Sequence, residues 1–144
     1  MEILNRKAKF DYFIYDTYEC GIVLKGSEIK SIRDGKANLK DSYAIIKNDE
    51  LFILNTHISK YENSSIFNHD ETRTRKLLAN KKEIYKMRDK INIEGYTLIP
   101  LKLYFNRGLA KITIGVCKGK KNYDKKEAIK ERDIDKYNKK TMKY

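Results

Sequence analysis

The apolar periodicity of this chain stops at Cys117. From Lys126 to Thr141 the only apolar residues are Ala128, Ile129, Ile134 and Tyr137. So few cannot offset the entropy of ordering the segment. The fold must therefore come from the residues before it, which suffice for a single core. Charge collects where periodicity ends. Lys118 to Tyr144 carries 11 Lys/Arg against 5 Asp/Glu, half of the chain's net +12. Two parts are expected: a folded body, residues 1–120, and a basic C-terminal tail, residues 121–144, meeting near Gly119.

The body reads as mainly β. Leu101, Leu103 and Phe105 alternate with Lys102 and Tyr104, and Ala110, Ile112 and Ile114 alternate with Lys111 and Thr113. These predict a hairpin, Thr97–Phe105 with Leu109–Cys117, turning at Asn106-Arg-Gly108, each strand with one wet face. Pro100 lacks a donor and predicts an edge or a bulge. Ser42–Ile46 and Leu51–Leu54 flank Lys47-Asn-Asp-Glu50 and predict a second hairpin with a four-residue loop. Thr56–Ile58 extends its second strand. Tyr12–Tyr15 reads as an early strand. Asp16 and Glu19 are spaced as a capping box. With Ile22, Val23, Ile29 and Arg33 they predict a helix over about 17–33, weakened at Gly26; a strand through Gly21–Leu24 competes. A second helix is expected over 75–90, and 61–74 is a polar loop. The class is α+β, a small antiparallel barrel, since a short twisted sheet tends to close on itself and remove its edges.

Composition narrows function. No run of apolar residues exceeds four, too short to cross a membrane as a helix, and residues 1–7 hold no apolar segment of signal-peptide length. Cys20 and Cys117 form no CxxC pair and read as reduced thiols of a cytoplasmic protein. His57 and His69 lack a metal-ligand pattern, and no nucleophile constellation, P-loop or dinucleotide loop is present. Glu19 and Glu28 could form a carboxylate pair, but capping and surface roles explain them. No catalytic residue, metal or cofactor is expected. The excess positive charge points to an anionic partner, first of all nucleic acid. Lys118-Gly-Lys-Lys-Asn-Tyr123 interleaves lysines for phosphates with a ring for a base. Arg73-Thr-Arg-Lys76 offers guanidiniums beside the expected second helix; Ser31-Ile-Arg33 and Lys36-Ala-Asn38 are weaker. On a helical projection of the tail, Asp124, Glu127, Glu131 and Asp135 gather on one side and Lys125, Arg132, Lys136, Lys139, Lys140 and Lys143 on the other. Like charges at i,i+4 disfavour that helix in free solution, and anionic surroundings would favour it.

Ordered along the chain, Asn5-Arg-Lys-Ala8, Tyr18–Leu24, Gly26–Arg33, Asn38–Ser42, Arg73–Leu78, Pro100–Tyr104 and Gly119-Lys-Lys121 followed by Asp124-Lys125 resemble the small protein B, or SsrA-binding, family. The resemblance implies an oligonucleotide-binding-like (OB-like) antiparallel β-barrel with peripheral helices. It implies a non-catalytic protein that binds the tRNA-like domain of transfer-messenger RNA (tmRNA). That protein delivers the RNA, with elongation factor Tu, to stalled ribosomes for trans-translation. Its body replaces the missing anticodon arm, and its tail lies helical in the empty messenger channel. The RNA-binding residues so implied are Asn5, Arg6, Lys7, Glu19, Arg75, Lys76, Leu78, Asn80, Lys118, Lys120 and Lys121. Those facing the ribosome, at the decoding centre and messenger channel, are Tyr123, Asp124, Lys125, Lys126, Arg132, Lys136 and Met142. The family often has Arg where Lys126 stands, so a planar phosphate fork is lost there, and often His at position 123, where Tyr can stack but not become cationic. A general RNA-binding or ribosome-associated protein with the same barrel is the alternative, and an enzyme acting on RNA a more distant one.

Overall fold

The computed structural model describes residues 2–61 and 68–120. The expectations for the tail, Lys121 included, and for the middle of the 61–74 loop fall outside these residues.

The 97–117 hairpin forms as its alternation predicts. It joins β8 (Thr97–Asn106) to β9 (Leu109–Gly119). The turn is two residues, Arg107 and Gly108, with φ of 52° and 76°, the left-handed pair that suits a twisted hairpin. Pro100 sits at a bulge, where the register shifts between Pro100 and Lys102. The earlier hairpin, β4 (Tyr43–Lys47) and β5 (Glu50–Leu54), is tighter than expected. Lys47 pairs with Glu50, so only Asn48 and Asp49 turn, again both at positive φ.

Three expectations are corrected. Residues 17–22 are not helical: they complete an eleven-residue strand, β2 (Tyr12–Ile22), held over nearly its full length against β9. The helix there is shorter, α2 (Gly26–Arg33), and its start is marked by Glu28, whose Oε1 accepts the Lys25 N–H at 2.7 Å. Gly26 begins this helix rather than weakening it. Arg75–Leu78 is a strand, β7, between β5 and β2. The following helix, α3, runs Lys81–Glu94 and ends at Gly95, whose φ of 72° suits a glycine. His57–Ile58 is a separate short strand, β6, paired with β3 (Ala37–Asn38). At the amino end, β1 (Glu2–Leu4) lies beside β8, and α1 (Ala8–Asp11) is one turn.

The pairings run β4–β5–β7–β2–β9–β8 and come back to β4 through one pair, Ala44 with Leu98. The molecule is thus a mainly antiparallel, OB-like β structure with peripheral helices. Its core holds Cys20, Leu51, Ile53, Leu77, Leu98, Ile112 and Ile114, and α3 contributes Ile84 and Met87. A second, smaller cluster forms on the outer side of β8 and β9, where Ala8 of α1 meets Ile99 and Cys117, with Tyr12, Ile14 and Leu101 around them. Gly115 makes this possible: a Cβ there would meet Leu101 Cδ1 and Cys117 Sγ at 3.0 Å. The two cysteines are free and five positions apart along the β2–β9 ladder. Burial pushes their thiols up, Cys20 to about 12 and Cys117 to about 11.

Candidate nucleic-acid interface

Strand alternation in β7 decides what its four residues can do. Leu77 faces the core, opposite Ile22 and Leu51. Leu78 faces outward opposite Gly21 and stays 53% exposed. Lys76 also faces outward and meets Glu50 at 2.7 Å. Arg75 turns inward and is fully buried.

Arg75 therefore belongs to an interior ionic cluster and does not present its guanidinium to a ligand. Its Nε donates to Glu28 Oε2 at 2.5 Å and its Nη1 to the Thr56 carbonyl at 2.7 Å. Arg73 donates to the same carboxylate through Nη2 at 2.7 Å and Nε at 3.1 Å. Glu28, expected at the surface, is the buried hub. Burial alone would raise its carboxyl, but hydrogen bonds from Arg73, the Lys25 N–H and Arg75 outweigh that and hold it below the usual carboxylate range. His69 is 2% exposed beside this cluster. Its Nε2 donates to the Ile58 carbonyl at 2.8 Å and its Nδ1 meets Ser27 Oγ at 2.8 Å. The basic run 73–76 thus splits, with Lys76 as its outward member.

The outer face is built differently. Glu19 lies on β2 opposite Thr113 of β9. Being mid-strand, it caps no helix, so its carboxylate is free for another role. The phenol of Tyr104, on β8, donates to Glu19 Oε2. Thr113 hydrogen-bonds the same phenol; burial first, and then the Glu19 carboxylate, push the Tyr104 hydroxyl above its ordinary pKa. Lys102 Nζ stands 4.8 Å over the Tyr104 ring, and Lys111 is the cross-strand neighbour of both Tyr104 and Gly21. Leu78 adjoins Gly21, and Asn80 is exposed at the start of α3, its N–H donating to Glu83 at 3.3 Å. The structure thus brings together Glu19, Leu78 and Asn80, which the family pattern named. It adds Tyr104, Lys102, Lys111 and Thr113, which only the strand register reveals. Chemically this is an exposed leucine near a fixed acceptor, with the ammonium groups of Lys102 and Lys111 beside it. Such a surface can meet an exposed ribose or base at its centre and phosphates at its edge.

Asn5, Arg6 and Lys7 precede α1. Asn5 is held by β8, its Nδ2 donating to the Pro100 carbonyl at 2.9 Å. Arg6 and Lys7 are exposed. Lys120 returns to the same end, its backbone N–H donating to the Asp11 carbonyl at 2.8 Å and its Nζ to the Lys9 carbonyl at 3.2 Å. The amino-terminal basic run and the root of the tail are thus neighbours. Lys121, Tyr123, Asp124, Lys125, Lys126, Arg132, Lys136 and Met142 lie outside the described residues. Among the described residues, no helix is long and apolar enough to cross a membrane.

Known proteins resemble this chain in sequence and fold. The SmpB protein family model matches residues 2–144. The SsrA-binding protein of Desulfitobacterium hafniense (strain DCB-2) is 57% identical over 129 residues, covering 90% of this chain and 83% of that protein. That of Enterococcus faecalis (strain V583) is 54% identical over 139 residues, covering 96% and 90%. That of Clostridium botulinum (strain Hall) is 55% identical over 144 residues, covering 97% and 92%. A solved chain described as "tmRNA-SmpB: a journey to the center of the bacterial ribosome" superposes with a TM-score of 0.71 at 45% identity, covering 89% of this chain and 94% of that one.

Proposed function

This chain belongs to the SmpB family, and on that premise we propose that it binds the tRNA-like domain of tmRNA and delivers it to stalled ribosomes for trans-translation. The observation that carries this reading is the outer face, where exposed Leu78 lies near a carboxylate, Glu19, fixed by Tyr104 and flanked by Lys102 and Lys111. A lone carboxylate repels phosphate. It is useful only where a base or ribose donor is brought against it in one fitted orientation, which suits a folded RNA rather than any polyanion. Lys76, Arg6, Lys7, Lys118, Lys120 and Lys121 supply phosphate contacts, while Asn5, Leu78 and Asn80 shape the surface. Arg75 acts from the interior by holding β7 and α2 in place.

The division of labour follows from the sequence. The body serves as the missing anticodon arm of the RNA. The basic tail, with Tyr123, Asp124, Lys125, Lys126, Arg132, Lys136 and Met142, enters the messenger channel beyond the decoding centre. About 18 residues in a helix would span roughly 27 Å. A resident messenger would compete for that space, so tail entry reports an empty channel. The aminoacylated RNA enters with elongation factor Tu, and the protein itself performs no chemistry.

The test is rescue of ribosomes stalled on a messenger lacking a stop codon, with full-length protein and a 1–120 truncation, alongside RNA-binding gels. Equal binding of tmRNA by both, with tagging only by the full-length chain, is expected. Loss of RNA binding on truncation would overturn the division at residue 120. Equal affinity for tmRNA and a plain duplex would overturn the tRNA-like specificity.

A further inference from the structure

The β2–β9 ribbon has a second exposed side, of which the proposed function uses only Lys118 and Lys120 at its end and not the aromatic rings. On β9, Thr113, Gly115 and Cys117 face outward, toward Glu19 and α1, whereas Ile112, Ile114 and Val116 face the core. Lys118 and Lys120 continue the second series past the end of the core. Phe13 lies opposite Lys118 and is 47% exposed; Tyr15 is 58% exposed. Neither ring is buried by the body, yet both are ordered by lysines. Lys120 Nζ stands 4.9 Å from the Phe13 ring centre and Lys90 Nζ, from α3, 4.1 Å from that of Tyr15. Tyr96 packs on Tyr15 with ring centres 5.2 Å apart and planes tilted by 44°, and Lys118 Nζ lies 4.8 Å over Tyr96. The nearby acids are engaged: Glu94 pairs with Lys90 at 2.6 Å and Asp16 accepts the Thr17 N–H at 2.8 Å. Among the described residues Lys118 and Lys120 have no ion pair.

We propose that Phe13 and Tyr15, with Lys118, Lys120 and Lys90, form a second nucleic-acid site that takes unpaired RNA nucleotides by stacking. Two exposed rings two residues apart on β2, with Tyr15 at the bulge where the register against β9 shifts between Ile14 and Asp16, present successive π-faces. Each has an ammonium over its face, which a stacking base would displace toward its own phosphate, Lys90 leaving its pair with Glu94 as it does so. Base–ring stacking tolerates any sequence because every base has a π-face. A duplex hides those faces, so the site selects single strands. Its rings lie on the opposite side of the ribbon from Glu19, so a folded RNA centred on Glu19 leaves them open, and the site adjoins the root of the basic tail.

The experiment is fluorescence anisotropy of a labelled oligouridylate of about ten nucleotides, within the usual site size of single-strand binders. It uses the full chain and Phe13→Ala, Tyr15→Ala, Tyr15→Phe, Lys118→Ala and Leu78→Ala, each checked by its urea midpoint. Phe13→Ala and Tyr15→Ala should each weaken oligonucleotide binding by about tenfold, with Tyr15→Phe close to the original and the salt slope unchanged. Lys118→Ala should lower that slope by about 1. Binding of the tRNA-like domain should not respond to the ring changes. The proposal is overturned if the original chain does not bind the oligonucleotide, or if the ring-to-Ala variants bind it as well as the original. It is also overturned if Leu78→Ala abolishes that binding, or if ring changes weaken the tRNA-like domain equally, since one surface would then serve both. A chain that binds the oligonucleotide through its rings but not the tRNA-like domain would overturn the proposed function and leave this site standing.

Discussion

Glu28 and Glu19 carry the same charge into opposite surroundings, one inside the body and one on its outer face. Glu28 is fully buried, and its two oxygens accept four hydrogen bonds, from Arg73 twice, Arg75 and the Lys25 N–H. Glu19 is exposed on β2 and meets a phenol. An interior charge survives only where partners close around it, and once they do, nothing remains for a ligand. An exposed charge steadied by a neutral donor keeps its charge and an open oxygen. The first arrangement serves folding and the second recognition, although both use a glutamate within ten residues of chain.

The largest effect that could break this contrast is on stability. Arg75→Ala would take from buried Glu28 one of its two guanidiniums and one of its four hydrogen bonds, and loss of one partner of a buried ion pair costs about 3–5 kcal/mol. Urea unfolding should show that loss. RNA affinity, corrected for the folded fraction, should stay unchanged. Arg75→Lys should not restore stability, because a single ammonium cannot reach both the carboxylate and the Thr56 carbonyl as the guanidinium does. Affinity that falls without loss of stability would place Arg75 at the interface after all. Acid gives a second view. The folded pKa of Glu28 lies below its unfolded value. Its stabilisation is therefore present above the ordinary carboxylate range and is lost as pH falls through the depressed value. Chemical unfolding measured from pH 6 downward should show a fall below about pH 4 that Glu28→Gln, itself destabilised, largely lacks.

This contrast also marks how far the sequence could be read. The β8–β9 hairpin and the bulge at Pro100 were legible because strict alternation and a missing donor are local signals. The continuation of β2 past Asp16 was not: Asp16 and Glu19 mimic a capping box, and only the long-range ladder to β9 makes those residues extended. β7 was hidden for a related reason. Four residues at the head of a helical pattern carry no period of their own, and an arginine argues against a core position until its carboxylate partner, 47 residues away, is known. On the candidate site, Glu19, Leu78 and Asn80 came from ordered family motifs. Tyr104, Lys111 and Thr113 come from register alone, which no spacing within one strand reveals.

On the outer face the expected losses are in binding. Glu19→Ala should weaken binding of the tRNA-like domain by about 10- to 100-fold, the usual range for a hydrogen bond to a charged group, with no change in urea midpoint. Gel shifts at several salt concentrations should show an unchanged slope, since no phosphate contact is lost. Tyr104→Phe keeps the ring under Lys102 and removes the hydroxyl, and with it the bonds to Glu19 and Thr113. Its expected loss is smaller, about three- to tenfold. In the Glu19→Ala background the same change should have almost no effect, because a positioning residue has nothing left to position. Additive losses would mean that Tyr104 touches RNA directly.

Lys76 gives the smallest and sharpest test, because it is the sequence neighbour of Arg75 and equally basic. Its ammonium meets Glu50 at 2.7 Å, with both side chains more than two-fifths exposed, and exposed pairs of this kind are screened and add little to stability. Lys76→Ala should leave the urea midpoint where it was. Because β7 directs it outward, beside Leu78, it should instead reduce the slope of log affinity against log salt by about 1, the signature of one lost phosphate contact. Binding should fall by a similar factor on every RNA tested, since phosphate contacts position without reading sequence. Two adjacent basic residues would then separate completely, Arg75 moving only stability and Lys76 only the salt dependence. If Lys76→Ala leaves the slope intact, its partner is Glu50 alone, and the rim of the interface runs instead through Lys102 and Lys111.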